Sequence, residues 1–147
     1  MIELVPVPAW VARAVVEGTD LGDLPRVRDW PHADTADALR PLAEHPDDTG
    51  PGTFLVLHDG LVVGDCGWFG PPDASGEAEI GYGLAPSVRG KGLGTATVQA
   101  LLEWVRAQGA AHVRAEVLPG NEPSLRLLRR LGFEQVEERA GHVVLRA

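Results

Sequence analysis

Arg89-Gly-Lys-Gly-Leu-Gly-Thr95 sets three alternating glycines among two cations. Glycine has no Cβ, so backbone N–H groups here can close on a ligand. Just beyond, Val98, Leu101, Leu102 and Val105 fall at helical spacing, so the glycines stand where a helix begins. The first N–H groups of a helix have no partners within it, and the helix dipole favours an anion there. Arg89 and Lys91 add positive charge. The chemistry is that of a phosphate or pyrophosphate cradle, although an ordinary glycine-rich connection shares the bare triplet. Two known cradles do not fit. A P-loop needs Gly-Lys-Ser/Thr, and Lys91 is followed by Gly92. A dinucleotide turn needs G-x-G-x-x-G after the first strand, and here the glycines fall at 90, 92 and 94.

Other residues able to do chemistry are sparser. Glu77 and Glu79 stand two apart and share a strand face. Cys66 lies in an apolar run with no histidine nearby, and reads as a small buried residue rather than a nucleophile. His32, His45, His58, His112 and His142 lack ligand spacing such as H-x-x-x-H, so no metal is expected. Trp10 and Trp104 fall in helical stretches and read as core. Trp30, in a loop, and Trp68, in a glycine-flanked strand, are candidates to line a substrate pocket. An aromatic face there binds an ammonium, though packing is the commoner use.

The elements that must position these residues are legible in outline. Ile2 to Val5 reads as a short strand closed by Pro6 and Pro8. Pro8 to Gly18 reads as a helix with proline at its start and glycine at its end. Residues 19–33 read as a loop, and a helix capped by Asp34 or Thr35 runs to about His45. Thr53–His58 and Leu61–Phe69 flank Asp59-Gly60, the strongest short-range hairpin signal. Gly64 and Gly67 inside the second run mark a bulge or a close backbone approach. Glu77 to Leu84 is a strand, 92–108 a helix stopped by Gly109, and Ala111 to Leu118 a strand. Residues 122–131 form a helix ended by Gly132, and Phe133–Glu138 and His142–Arg146 a last strand pair. The sum is a mixed α+β domain with a hairpin-rich front half.

Length and composition bound the rest. A chain of 147 residues makes one domain, 1–147. With 44% hydrophobic and 23% charged residues it is neither disordered nor fibrous. No apolar run approaches the roughly 18 residues of a membrane helix, so no membrane is expected. The start, MIELVPVPAW, carries an acid and no basic region, so a secretory leader is not expected. The single Cys66 excludes an internal disulfide and a multi-cysteine zinc site. A cytoplasmic location is the expectation. One lysine among 13 basic residues, with abundant Ala, Arg, Gly and Pro, fits a GC-rich bacterial genome.

The net charge of −8 is uneven. Residues 1–80 hold 15 acids and 4 bases, a balance of −11, and residues 81–147 hold 6 acids and 9 bases, a balance of +3. Beside the plain use of acids for solubility, this split allows an anion on the C-terminal half and a cation drawn to the N-terminal half. No basic face is available for nucleic acid.

Arg89-Gly-Lys-Gly92-Leu-Gly94 resembles the Q/R-x-x-G-x-G/A acetyl-CoA motif of the GCN5-related N-acetyltransferases (GNAT), between the fourth strand and the third helix. Asn121-Glu-Pro-Ser124 through Leu131-Gly132-Phe133 resembles the family's N-x-x-S/A…L-G-F block, and Glu79 to Pro86 resembles its fourth strand. The resemblance covers roughly 53–139, more loosely Trp30-Pro31, and looks most like the branch of ribosomal-protein N-terminal acetyltransferases. It implies a mostly antiparallel mixed sheet with about four helices, splayed between strands 4 and 5. It implies acetyl-CoA as cosubstrate and no metal. Leu84, Ala85 and Val88 are expected to hold the pantetheine through backbone groups. The loop Arg89, Gly90, Lys91, Gly92, Leu93, Gly94 and Thr95 is expected to take the pyrophosphate. Asn121 is expected near the splay, although a plain helix N-cap looks the same in sequence.

The implied reaction is direct attack of an amine on the thioester, which needs a base and a thiolate donor. Glu79 is the candidate base, with a solvent-facing or salt-bridged acid as the alternative, and Glu77 follows it. Many relatives carry a tyrosine seven residues after the asparagine; here that residue is Leu128, and no tyrosine follows Tyr82. The family's tyrosine acid is therefore absent, and Ser124, a water or the product ammonium is the substitute donor, unless Ser124 only caps its helix. The expected function is an N-acetyltransferase acting on an amine-bearing small molecule or a peptide N-terminus, and a homodimer is compatible with it. The alternative is an acyl-CoA-binding sensor with weak or no catalysis.

Overall fold

The computed structural model describes residues 1–147. Its strands are β1 (Ile2–Pro6), β2 (Thr53–His58), β3 (Leu61–Trp68), β4 (Glu77–Leu84), β5 (His112–Val117), β6 (Glu134–Arg139) and β7 (His142–Arg146). Its helices are α1 (Ala9–Glu17), α2 (Thr35–Glu44), α3 (Leu93–Ala107) and α4 (Glu122–Arg130), with a 3₁₀ turn at Pro86–Val88. No helix is long and apolar enough to cross a membrane.

Local chemistry sets the boundaries. Gly18, at φ 70°, ends α1 in the left-handed conformation that glycine adopts without Cβ strain. Asp59 and Gly60 both have positive φ, the geometry that joins β2 to β3 in a two-residue hairpin. The β2–β3 register slips between Val56 and Leu57, which places the bulge beside Gly64. A Cβ on Gly64 would lie 2.4 Å from the Gly83 carbonyl oxygen, and one on Gly67 would lie 2.3 Å from that of Gly52. Both expected uses of these glycines are therefore present.

The seven strands form one sheet in the order β1-β2-β3-β4-β5-β7-β6. Every neighbouring pair is antiparallel except β4–β5, which is parallel. That parallel ladder is short, running from Glu77↔His112 to Ile80↔Ala115. Beyond it β4 stays paired to β3 as far as Leu84, and β5 stays paired to β7 as far as Val117. Each strand keeps one partner and loses the other, so the sheet opens into a splay with backbone groups facing a gap. Unpaired strand groups of this kind need another partner.

Helices cover both faces. Thr35 of α2 hydrogen-bonds Asp65 of β3, whereas Trp104 of α3 stacks on Trp68 of β3. Asp65 and Trp68 are an odd number of residues apart and so stand on opposite faces. The core runs through Val11 and Ala12, Leu39, the α3 stripe Val98, Leu101, Leu102 and Val105, and Leu125 and Leu128 of α4. Trp10 corrects the sequence reading. It is 47% exposed, because α1 buries the stripe through Val11, Ala12 and Ala14 instead.

Candidate active site

The cradle is built from the end of β4 onward. Ala85, fully buried, donates its N–H to the Val63 carbonyl at 2.8 Å and anchors the turn. Asp29 holds the next turn, accepting from Ser87 N–H at 2.8 Å and from Ser87 Oγ at 2.6 Å. The Ser87 donors hold the Asp29 carboxyl below its ordinary range. Arg89 Nε–H donates to the Leu84 carbonyl at 3.1 Å, which fixes this cation at the strand end. Gly90 and Gly92 have φ of 77° and 79°, with open space where a side chain would stand. Gly92 is the N-cap of α3, and no side chain caps that helix. The N–H groups of its first turn are therefore available to an anion, with Lys91 beside them. Gly94 has a different role. A Cβ there would lie 2.8 Å from Leu127 of α4, so this glycine allows the two helices to close together.

The β4–β5 gap holds a cleft of about 230 Å³, lined by Tyr82, Glu116, Asn121, Ser124 and His142 among others. Asn121 is the N-cap of α4, its Oδ1 accepting the Ser124 N–H at 3.3 Å. The Ser124 hydroxyl hydrogen-bonds the Tyr82 hydroxyl across the gap. Burial raises the Tyr82 phenol above its ordinary pKa, and the Ser124 bond opposes this. Leu128 lies wholly in the core, away from the gap.

Glu77 and Glu79 share a face of β4 but differ in state. Glu77 is paired with Arg146 Nε at 2.7 Å. Glu79, in register with Arg114, makes no side-chain hydrogen bond or ion pair, since Arg114 is taken by Glu116. Burial, and then the Glu116 carboxylate, push the Glu79 pKa up against the pull of Arg114.

A larger cleft, about 540 Å³, lies between α2, β3 and β4. Asp34, Asp37 and Asp65 line it, with Trp68 and Phe69. Asp65 is its buried hub. Its Oδ2 accepts from Trp30 Nε1 at 3.0 Å and from Thr35 Oγ1 at 2.9 Å, and lies 3.1 Å from His32 Nε2. Burial disfavours the His32 imidazolium, but Asp65 outweighs it, so the His32 pKa is raised. The His32 ring lies over Gly83, where a Cβ would come within 2.7 Å of it. Trp30 is 1% exposed and stands behind the cleft wall, not in it. Trp68 does line the cleft, with its indole N–H on the Pro51 carbonyl and its ring edge-on to Trp104. The two clefts share only Gly81 and Tyr82.

Asp65, His32 and Tyr82 line the clefts without being site candidates in the sequence, and Thr35 holds Asp65 from within the fold. The one available signal was Asp65, a lone charge inside the apolar run Leu61 to Trp68.

Residues 8–134 match the family model described as an acetyltransferase (GNAT) domain. The chain belongs to the GNAT family. This GNAT chain is 33% identical over 125 residues to a mycothiol acetyltransferase of Thermomonospora curvata, covering 85% of its own length and 39% of that protein. As with other curated relatives it matches, it spans less than half of that protein's length. The ribosomal-protein-alanine N-acetyltransferase of Brucella melitensis has the same fold, with TM-score 0.66 at 21% identity over 100% of this chain and 98% of that one. So does Campylobacter jejuni N-acetyltransferase PseH, solved in complex with acetyl coenzyme A, with TM-score 0.68 at 16% identity over 100% and 98%. The α+β fold expected of a GNAT domain, splayed between β4 and β5, is the fold found.

Proposed function

We propose that this protein transfers an acetyl group from acetyl-CoA to a primary amine by direct attack. The observation that carries this reading is the meeting of two clefts where the β4–β5 ladder stops, one opening in the β4–β5 gap and the other walled by acids, with the uncapped start of α3 following the end of β4. The donor's chemistry is that of an activated thioester. Leu84, Ala85 and Val88 stand at the strand end beside the path of a pantetheine arm, with the Ala85 N–H given to Val63 and the Leu84 carbonyl holding Arg89. Arg89, Lys91 and the N–H groups from Gly92 to Thr95 form the pyrophosphate cradle, with Asn121 fixing α4 beside the gap. PseH, with the same fold, binds acetyl coenzyme A, which supports the assignment.

Glu79, raised in pKa and unpaired, takes the proton of the incoming amine, directly or through water. Ser124 stands at the gap as a hydroxyl donor. Trp68 forms a wall of the acceptor cleft, and Trp30 acts from behind it by holding Asp65. The carboxylates of Asp34 and Asp37 favour a cationic acceptor, either a small amine or a peptide N-terminus. We place the reaction in a bacterial cytoplasm. A sensor without catalysis would need only the cradle, so the acid-lined second cleft and the free Glu79 favour transfer.

The test is thiol release from acetyl-CoA across polyamines, aminoglycosides, amino-acid amides and free-N-terminal peptides. Amine-dependent release, with the acetylated product seen by mass, is the expected result. Tight binding of CoA with no amine-dependent release would leave the sensor reading.

A further inference from the structure

We propose that Tyr82, supported by Ser124, is the acid that protonates the departing thiolate. This rests on the transfer reading above, in which a donor cleft and an acceptor cleft meet. Tyr82 is the only side chain that lines both, since the other shared residue is Gly81. It stands on β4 two residues beyond Ile80, the last residue paired to β5, and so at the point where the sheet opens. From there it reaches across the gap to the first turn of α4, where its hydroxyl meets Ser124 Oγ. Burial keeps the phenol protonated at neutral pH, as a donor must be. The chain has no other tyrosine, and Leu128 is sealed in the core. Glu116 and His142 are the other titratable groups lining the gap.

The step balances within the reactants. The amine nitrogen forms a bond to the acetyl carbonyl carbon, the carbon–sulfur bond breaks, and sulfur leaves with the electron pair. The Tyr82 Oη proton goes to sulfur. Ser124 Oγ–H donates to the resulting phenolate, and the proton shed by the new amide nitrogen restores the phenol.

The experiment uses the full chain, with an amine acceptor found by the panel above. Tyr82→Phe keeps the ring and removes the proton. It should lower kcat with acetyl-CoA by about 10²–10⁴-fold and leave CoA affinity within about twofold by calorimetry. With an acetyl thioester of an acidic aryl thiol, whose leaving group needs no proton, wild type and variant should turn over alike. Ser124→Ala should give a smaller loss with the same donor dependence, and it decides the matter if Tyr82→Phe does not fold. Full kcat in both variants, or an equal loss with both donors, overturns the proposal. Wild-type protein inert toward every amine overturns the transfer reading itself.

Discussion

At the scale of the residue, the proposed reaction rests amine activation on Glu79. An alkyl ammonium with a pKa near ~10 is almost wholly protonated at neutral pH, so attack waits on a base. Burial and the Glu116 carboxylate hold Glu79 above the ordinary carboxylate range, nearer the working pH. Glu79→Gln keeps size and hydrogen bonding but cannot take a proton. Its kcat should fall by about 10²–10⁴-fold, the acidic limb of the pH profile should vanish, and CoA affinity should hold. The same shift has a consequence for stability. The folded-state pKa lies above the unfolded value of about 4.3, so between the two the folded protein binds more protons, and stability drops as pH rises through that window. Glu79→Gln removes the cost of ionising a half-buried acid. Its Tm should equal or exceed wild type at neutral pH, with the gain disappearing below the unfolded pKa. Unchanged activity with an unchanged acidic limb would move the base elsewhere, Glu77 being next despite its pairing with Arg146.

At the scale of the element, two junctions matter. The first joins the glycine loop to α3. Gly92 sits at φ 79° with open space before it. A left-handed side-chain-bearing residue costs ~1–2 kcal/mol, and Gly92→Glu also sets a negative charge at an anion site. Affinity for acetyl-CoA should drop more than tenfold, about 1.4 kcal/mol. Gly92→Ala, which has the strain without the charge, should retain most of it by the same calorimetry. The second junction ties the loop before α2 to β3 through Asp65. Asp65→Ala strands the Trp30 indole N–H and the Thr35 hydroxyl, each worth ~1–3 kcal/mol when buried without a partner. Thermal melting should show a fall of roughly 2–4 °C for each kcal/mol lost. Kinetics should show a larger rise in KM for the amine than in KM for acetyl-CoA. A variant with wild-type Tm and KM would mean that the network is not what shapes the cleft.

At the scale of the whole molecule, the charge split has a place to act. The acids Asp34, Asp37 and Asp65 line one cleft, and Arg89 and Lys91 stand in the glycine loop between β4 and α3. For a cationic acceptor, kcat/KM should fall as salt rises, because screening shortens to about 8 Å at physiological ionic strength. A rate indifferent to salt with such an acceptor would dismiss steering. The sequence by itself determined what is local. Strand and helix spans follow from periodicity, the hairpin from Asp59-Gly60, and the uncapped glycine start of α3 from residues contiguous in the chain. It left the residues of the second cleft dark. Trp30 looked like a pocket wall and is buried behind Asp65, Trp10 looked like core and is half exposed, and Tyr82 and Ser124 gave no sign of meeting. Those outcomes depend on which strands pair, in what register, and where a ladder stops. Residues 42 positions apart touch only because β4 loses β5 beyond Ile80 and α4 begins across that gap. Pairing of this kind is a long-range choice made by burial over the whole sheet, and no short window of sequence contains it.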